Sequence, residues 1–176
     1  MSLKSLSGVL THYAASPLFW LLSLSILLMS APVLATQKEL TVSKVPGMLA
    51  QAMQRALKGT PYQIHLVNWL AVSKMETAGW SSVVYTTATN PWGMRPSKER
   101  ENTQDGVYVS PNNGEFARYK SLDRAAQDIV LYMKARQWPT SKMSMSEFVS
   151  RMKQAGYFGD VSVNEYLQAV EAWTER

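Results

Sequence analysis

Glu76 is the residue of this sequence with the surroundings that best suit an acid catalyst. It ends an apolar stretch that runs from about residue 63 to residue 77, and it follows Met75 and precedes Trp80. Apolar surroundings disfavour a charged carboxylate, so they raise the pKa of a carboxyl group and let it keep its proton near neutral pH. Such a group can protonate a poor leaving group, for example a glycosidic oxygen. The local pattern alone equally fits a solvated glutamate at a helix end.

The residue types that are absent narrow the chemistry. The 176 residues include no cysteine, which excludes Cys-His hydrolases, CxxC redox motifs and thiolate zinc sites. The two histidines are His12 and His65, so a Ser-His-Asp triad would have to use His65. His65 stands among apolar residues and is predicted to be packed or at an interface. We therefore expect chemistry from carboxylates, tyrosines and backbone groups, with no metal and no other cofactor.

The charge of the chain favours an anionic partner. The formal net charge is +5, from 18 Lys and Arg against 13 Asp and Glu. Such a surplus suits nucleic acid, anionic lipid or an acidic cell-wall polymer. The sequence has no helix-turn-helix pattern, no aromatic RNA-binding box and no dense basic tract, so we expect no nucleic-acid partner.

The first 35 residues are predicted to be a signal peptide or a membrane anchor. Residues 17–34 carry no charge and are rich in leucine, and Val33-Leu34-Ala35 matches a signal-peptidase site. Both alternatives predict an N-terminal hydrophobic helix. They also predict a protein that is exported to the periplasm or the extracellular space, or attached to a membrane, including that of a virion. Residues 36–44 are predicted to be a linker, and residues 45–176 a folded domain.

The domain is predicted to be α+β and mostly α. Apolar residues recur at helical spacing, and turn residues separate the helices. In the polar segment 95–120, residues 107–109 and 116–119 flank a Pro-Asn-Asn-Gly turn, which predicts a β-hairpin. Two helical parts around a small β part predict two lobes with a cleft. The predicted helices are one that ends before Gly59, one at about 63–77, one that follows Ser121, and two that open with capping boxes at Ser144 and Ser162.

Four segments of the domain resemble motifs of the bacterial β-N-acetylglucosaminidase family, which includes autolysins, flagellar-rod cell-wall hydrolases and phage lysins. They match its Glu-Ser-Gly, Asn-x-Phe-Gly, Phe-x-x-Tyr-x-Ser and Gly-Tyr-Ala-x-Asp segments, in that order. The resemblance covers roughly residues 63 to 174 and implies a lysozyme-like, two-lobed fold. The segments are METAGW (75–80), NPWGMRP (90–96), FARYKSLDRAAQDIVLYM (116–133) and QAGYFGDVSVNEYLQAV (154–170).

This resemblance implies roles for individual residues. Glu76 matches the catalytic acid, and Tyr157 matches a tyrosine that lines the active site. The implied cleft-wall and substrate-binding residues are Asn90, Trp92, Gly93 and Tyr119, to which we add Trp80 as a surface for a sugar ring.

Some of these residues also fit ordinary structural roles. Asn90 also fits a turn before Pro91, and Tyr157 also fits a core aromatic residue. For Asp160, which matches the aspartate of the last motif, we favour a helix N-cap. The chain departs from the family pattern at Thr77-Ala78, where Ser-Gly is usual, and at Phe158-Gly159, where Ala-Thr is usual.

A second catalytic carboxylate is the open question. The candidates lie in the polar segment, and Glu101 is preferred because it is in the middle of that segment. All of them could equally be solvated loop charges. A mechanism with one carboxylate is also open, either with help from the N-acetyl group of the substrate or as a lytic transglycosylase. The candidates are Glu99, Glu101, Asp105 and Glu115.

The leading hypothesis is a peptidoglycan hydrolase that cuts the glycan strand on the reducing side of N-acetylglucosamine. A muramidase or a lytic transglycosylase could use the same glutamate. The alternative from another class is a membrane-anchored structural or virion docking protein that keeps a lysozyme-like fold without turnover. The expected partners are peptidoglycan glycan strands and, if the leader is retained, a membrane that residues 17–34 enter.

Overall fold

The computed structural model describes residues 45–175, so the predicted leader (1–35), its hydrophobic helix and the linker (36–44) lie outside the described residues. The described part is mostly helical and contains one two-stranded antiparallel sheet, which confirms the α+β, mostly α class. None of its helices combines the length and the apolar character needed to cross a bilayer. The helices are α1 (Gly47–Leu57), α2 (Leu66–Glu76), α3 (Val83–Ala88), α4 (Leu122–Ala135), α5 (Met145–Gln154) and α6 (Val163–Thr174), with short 3-10 helices at Gln63–His65 and Lys98–Thr103.

Helix α2 is the central helix, as its apolar sequence predicts. Every residue from Asn68 to Lys74 is buried, and α2 packs against α6, while α1 packs against α4. Trp69 of α2 lies among four aromatic rings from later parts of the chain, with ring centroids 5.2 to 6.2 Å away. The core therefore fixes the helix that ends at Glu76. The rings around Trp69 belong to Tyr132, Trp138, Phe148 and Tyr157.

His65 is packed, as predicted. Its side chain is fully buried, and its Nε2 lies 2.7 Å from the carbonyl oxygen of Pro139. Burial lowers the pKa of this imidazole, because the charged form would be desolvated. His65 is therefore a neutral core residue that ties the start of α2 to the chain after α4.

The hairpin is present, but its second strand differs from the prediction. Strand β1 (Val107–Ser110) pairs with β2 (Gly114–Ala117), with Val107 opposite Ala117. The second strand was predicted to run to Tyr119, and that boundary is wrong. The chain turns away from the hairpin after Arg118, because the Tyr119 N–H donates to the carbonyl oxygen of Ala88.

Two short elements were not predicted, and both lie beside the hairpin. Helix α3 has a β-branched sequence that is poor in helix formers, but the side chain of its N-cap residue, Ser82, accepts a hydrogen bond from the Tyr85 N–H. The 3-10 helix Lys98–Thr103 has a polar sequence without an apolar period. Tertiary contacts stabilise both elements, and a local sequence pattern contains no information about such contacts.

A buried ion pair anchors the segment around the hairpin to helix α4. Asp128 of α4 is fully buried, and its carboxylate lies 3.0 Å from the Arg100 guanidinium. It also accepts hydrogen bonds from the side chains of Thr103 (2.5 Å), Tyr119 (3.0 Å) and Gln104 (3.2 Å). Since a buried charge is stable only when it is paired and hydrogen-bonded, this network holds 98–119 in one place.

The last two helices begin as predicted. Ser144 and Ser162 are N-caps with complete capping boxes, formed with Glu147 and Glu165. The prediction that Asp160 is an N-cap is wrong, because helix α6 begins after Ser162 and the hydroxyl of Ser162 already occupies that role. Asp160 is an exposed residue of the loop between α5 and α6.

Replacing Asp128 by alanine should remove the anchor and leave the buried Arg100 guanidinium without its ion-pair partner. We expect the free energy of unfolding to fall by about 3–5 kcal/mol, measured by urea denaturation followed by tryptophan fluorescence. The matched control is Asp123→Ala on the same helix, because Asp123 pairs with Arg55 at 2.7 Å with both side chains about half exposed. That change should cost about 1 kcal/mol or less. Equal losses in the two variants would contradict the anchoring role.

Candidate functional site

The Glu76 carboxyl is approached by groups from separate segments of the chain. Its Oε1 accepts a hydrogen bond of 2.5 Å from the phenol of Tyr166, a residue of α6. On the other side, a Cβ atom placed on Gly93 would lie 3.3 Å from Oε2, so the backbone of Gly93 faces this oxygen closely. The side chain is half-buried, which leaves part of it open to solvent. Two of the predicted site residues, Glu76 and Gly93, thus lie together.

The surroundings favour the protonated form of Glu76. Burial raises the pKa of this carboxyl above its ordinary value, because the charged form loses hydration. The hydrogen bond from Tyr166 and the positive charge of Arg95 act in the opposite direction and are smaller effects. A carboxyl group with a raised pKa keeps its proton at a higher pH than an ordinary carboxyl group does. If a ligand can also reach it, such a group is suited to general acid catalysis.

Helix α2 ends at Glu76 because the chain enters a left-handed turn. Ala78, Gly79 and Trp80 have φ angles of +48°, +74° and +65°. Residues other than glycine rarely adopt this conformation, so Ala78 and Trp80 are strained. The hydroxyl of Thr77 holds the turn: it donates to the Ser73 carbonyl oxygen at 2.6 Å and accepts from the Trp80 N–H at 2.8 Å. This departure from the usual Ser-Gly pair thus keeps a hydroxyl and a left-handed backbone.

Gly79 is needed in this turn for a second reason. A Cβ atom at this position would lie 3.3 Å from the indole of Trp173 on helix α6. The chain after Glu76 therefore packs closely on the helix that carries Tyr166. This contact and the Tyr166 hydrogen bond join the ends of α2 and α6.

Asn90 has a structural role in the loop at Gly93. Its side chain is fully buried, and its amide donates to the carbonyl oxygens of Met94 (2.9 Å) and Ala117 (2.8 Å). Its Oδ1 accepts from the Met94 N–H at 3.0 Å. These hydrogen bonds join the loop at Gly93 to strand β2, and a role of Asn90 in substrate binding stays a prediction.

Trp92 is also a structural residue. Its indole is fully buried, and its Nε1 donates to the Trp69 carbonyl oxygen at 2.9 Å. The ring has no exposed face in this structure, and the stacking role of Trp92 stays a prediction. Trp92 packs the loop that carries Gly93 onto the central helix.

Tyr157 lies beside Glu76, as the resemblance implies. Its phenol donates a hydrogen bond to the Trp92 carbonyl oxygen, and its ring lies 5.7 Å from that of Trp69. Burial raises the pKa of Tyr157, and the nearby charge of Glu76 raises it further. Tyr157 therefore stays protonated, and in this structure its hydroxyl supports the backbone next to Gly93.

The remaining predicted substrate residues divide between two places. Tyr119 is buried, and its phenol donates to Asp128 at 3.0 Å, so it belongs to the anchor described above. Its role in substrate binding stays a prediction. Trp80 lies one turn beyond Glu76 and is partly exposed. Its Nε1 donates to the Ser73 hydroxyl at 3.1 Å, and the Lys74 ammonium lies 5.7 Å from its ring centroid. Trp80 stays a prediction as a sugar-binding surface.

Among the residues that the structure describes, none of the candidate carboxylates is seen to act on Glu76: the groups that do so are Tyr166 and Arg95. Glu101 is exposed on the 3-10 helix Lys98–Thr103, and it is not among the groups that shift the Glu76 pKa. Glu99 is exposed on the same element, and Asp105 pairs with Lys120 at 3.2 Å. Glu115 is next to Phe116, whose ring faces Gly93, and neighbouring residues of a strand point to opposite faces.

Three residues of the site were missed from the sequence. Tyr166 lies inside the last predicted helix, and no local signal marks its hydroxyl as a partner of Glu76. The Phe158 ring stacks on Tyr166, with centroids 4.1 Å apart and planes at 4°. Arg95 lies over the Phe116 ring at 4.2 Å, and its Nη1 donates to two carbonyl oxygens of the hairpin, those of Asn113 (2.7 Å) and Glu115 (2.6 Å).

Other places in the described residues do not join this site. No group of three His, Asp or Glu side chains between residues 45 and 175 could hold a metal ion. An open groove of about 300 Å³ lies between α1, α4 and the 3-10 helix Lys98–Thr103, and its lining includes Ala56, Asn102 and Leu131 but no residue of the Glu76 site. The candidate site is therefore the one around Glu76.

Comparisons with known proteins give little beyond this description. No protein-family model matches the chain, and no curated protein matches it. A chain in a solved structure of a type VI secretion system effector-immunity complex from Pseudomonas protegens is similar, with 14% sequence identity and a TM-score of 0.48. The match covers 74% of this chain and 96% of that chain. A likeness at this level carries no argument about the site.

Glu76→Gln should change the pH dependence of stability. Because the pKa of Glu76 is raised in the folded state, wild type loses stability as pH rises from the ordinary value of 4.5 through the raised one. Glutamine has no proton to lose and can still accept the Tyr166 hydrogen bond. We expect the melting temperature of Glu76→Gln relative to wild type to rise as the pH increases above the ordinary value of 4.5. The exposed Glu99→Gln is the control and should show no such trend; a constant difference for Glu76→Gln would contradict the raised pKa.

Proposed function

We propose that the protein is a peptidoglycan hydrolase that cuts the glycan strand on the reducing side of N-acetylglucosamine, with Glu76 as the general acid. The observation that carries the proposal is the half-buried Glu76 carboxyl, whose pKa burial raises and whose Oε2 faces the backbone of Gly93. The order of the four motifs supports the same activity. We also propose that the described domain is lysozyme-like, with the hairpin as its small lobe.

In the proposed reaction, Glu76 donates its proton to the glycosidic oxygen as the bond from this oxygen to the anomeric carbon breaks. The positive charge that develops at the anomeric carbon and ring oxygen must be stabilised from the other side of the sugar. Water then adds to the anomeric carbon, and its proton passes to the Glu76 carboxylate, which restores the acid. A raised pKa suits both steps, because the same group must give and regain a proton near neutral pH.

The surroundings of Glu76 favour a mechanism with one carboxylate. A direct displacement needs a second carboxylate about 5 to 10 Å from the acid, and the groups that shift the Glu76 pKa are Tyr166 and Arg95, not a carboxylate. In the mechanism with one carboxylate, the carbonyl oxygen of the substrate N-acetyl group supports the anomeric carbon. A lytic transglycosylase would use the same glutamate and would form an anhydro sugar without water.

The charge and the leader fit a protein that meets the cell wall. The net charge of +5 favours association with an anionic polymer such as peptidoglycan. We propose an exported or membrane-attached location, including that of a virion, in which residues 17–34 enter the membrane if they are retained. The alternative without turnover, a structural or docking protein, predicts binding to glycan strands without release of new reducing ends.

Glu76→Gln should abolish cleavage. General acid catalysis contributes about 10²–10⁴-fold to a rate, so we expect clearing of peptidoglycan in a gel to fall at least about 100-fold. Glu99→Gln, an exposed glutamate, should clear like wild type. Mass analysis of the released muropeptides after borohydride reduction should show N-acetylglucosaminitol ends for wild type. Equal clearing by wild type and a folded Glu76→Gln would overturn the assignment.

The other products would identify the alternatives. Reduced N-acetylmuramic acid ends would indicate a muramidase, and anhydro ends a lytic transglycosylase. Glycan binding by wild type without any new ends would support the docking protein instead of the enzyme.

Glu101→Gln tests the number of carboxylates. If Glu76 works with the N-acetyl group of the substrate, we expect Glu101→Gln to keep clearing activity within about threefold of wild type. The measurement is the rate of release of reducing ends from purified peptidoglycan, with Glu99→Gln as the matched control on the same 3-10 helix. A loss of about 100-fold or more in Glu101→Gln alone would assign Glu101 as the base or nucleophile.

A further inference from the structure

We propose that Tyr166 and Phe158 form a positioning pair that fixes the orientation of the Glu76 carboxyl for proton transfer. This inference rests on the proposed function, because it concerns the same acid. Neither residue has a role implied by the motifs.

The first contact of the pair is the hydrogen bond to the carboxyl. The Tyr166 phenol donates to Glu76 Oε1 at 2.5 Å, and the Tyr166 side chain is only 5% exposed. A carboxyl rotates easily about its terminal bond unless one oxygen is held. With Oε1 held by Tyr166, Oε2 is left on the side of Gly93 to carry the proton that is transferred. The hydroxyl of Tyr166 thus separates the two oxygens into one that is held and one that acts.

The second contact fixes the tyrosine itself. The Phe158 ring lies parallel to the Tyr166 ring, with centroids 4.1 Å apart and planes at 4°. The loop that carries Phe158 is tied down in turn, because the Lys153 ammonium donates to the carbonyl oxygens of Gly159 and Val161 and lies 5.3 Å from the centroid of the Phe158 ring. A parallel stack of this kind limits tilting of the tyrosine ring. Phe158 therefore acts on Glu76 through Tyr166.

Two phenols and one guanidinium face Glu76 from the elements around it. Tyr166 comes from α6, Tyr157 from the loop before it, and Arg95 from the chain that follows Gly93. The Tyr157 phenol donates to the Trp92 carbonyl oxygen, and the Arg95 guanidinium donates to the hairpin backbone. The hydrogen bond from Tyr166 lowers the pKa of Glu76 against the effect of burial. Removing this hydroxyl should therefore raise the pKa of Glu76.

Tyr166→Phe is the direct test, because it keeps the stacked ring and removes the hydroxyl. In the full chain we expect kcat on soluble uncrosslinked glycan chains to fall about tenfold below wild type, with KM nearly unchanged, since the loss is in orientation of the acid. The alkaline limb of the pH profile should move to higher pH. Tyr132→Phe is the matched control: Tyr132 is also 5% exposed, and its phenol donates to the Ala155 carbonyl oxygen at 3.3 Å instead of to Glu76. It should leave kcat and the limb as in wild type.

Phe158→Ala tests the second member of the pair. It should lower kcat about three- to tenfold with little change in KM, and Phe158→Tyr should restore kcat to within about twofold because the stacked ring returns. Melting temperatures of all variants check that they fold. Equal kcat values for Phe158→Ala and wild type would remove Phe158 from the proposal.

A titration that needs no activity separates this inference from the proposed function. The carboxyl carbon of Glu76 is followed by NMR in protein labelled with ¹³C-glutamate, and its signal is assigned by its loss in Glu76→Gln. A higher Glu76 pKa in Tyr166→Phe, and an unchanged one in Tyr132→Phe, supports the pair. An unchanged pKa in Tyr166→Phe overturns it, even if wild type cleaves peptidoglycan. A wild type that cleaves nothing overturns the proposed function, and the titration then still decides whether Tyr166 acts on Glu76.

Discussion

The partial burial of one carboxyl group, that of Glu76, is the constraint on which the rest of the site depends. A carboxyl that is removed from water costs free energy unless it keeps its proton or receives hydrogen bonds. Here both occur, because burial raises the pKa and the Tyr166 phenol donates to Oε1. The donor is on the last helix and the carboxyl on the central one, so the arrangement exists only when α2 and α6 are packed together.

Two polar networks keep the neighbouring loops in place, and neither contacts the Glu76 carboxyl. The Asn90 amide joins the loop of Gly93 to strand β2. The Arg100–Asp128 pair, with the phenol of Tyr119, fixes the segment around the hairpin on α4. Three of the motif residues that resemble those of a substrate cleft, Asn90, Trp92 and Tyr119, are therefore buried supports. Buried residues of such a motif have a structural role: they position the backbone next to the candidate catalytic group.

Periodicity and capping signals predicted most of the fold, and they failed where tertiary contacts decide. The capping boxes at Ser144 and Ser162 and the turn between β1 and β2 are local, so they were predicted correctly. Helix α3 and the 3-10 helix Lys98–Thr103 lack an apolar period and were missed. In the site, Glu76 lies near Gly93 and Tyr157, two residues that the sequence also marks as candidates. Tyr166 could not be predicted, because its hydroxyl meets Glu76 across 90 residues of sequence.

The central claim is that Glu76 gives its proton to a glycosidic oxygen and that water completes the reaction. The most direct measurement is cleavage of purified peptidoglycan in ¹⁸O-labelled water, followed by mass analysis of the products. We expect one ¹⁸O atom in each new reducing-end N-acetylglucosamine that wild type forms, and no such labelled ends with Glu76→Gln. Labelled ends that a folded Glu76→Gln produces at the wild-type rate would contradict it.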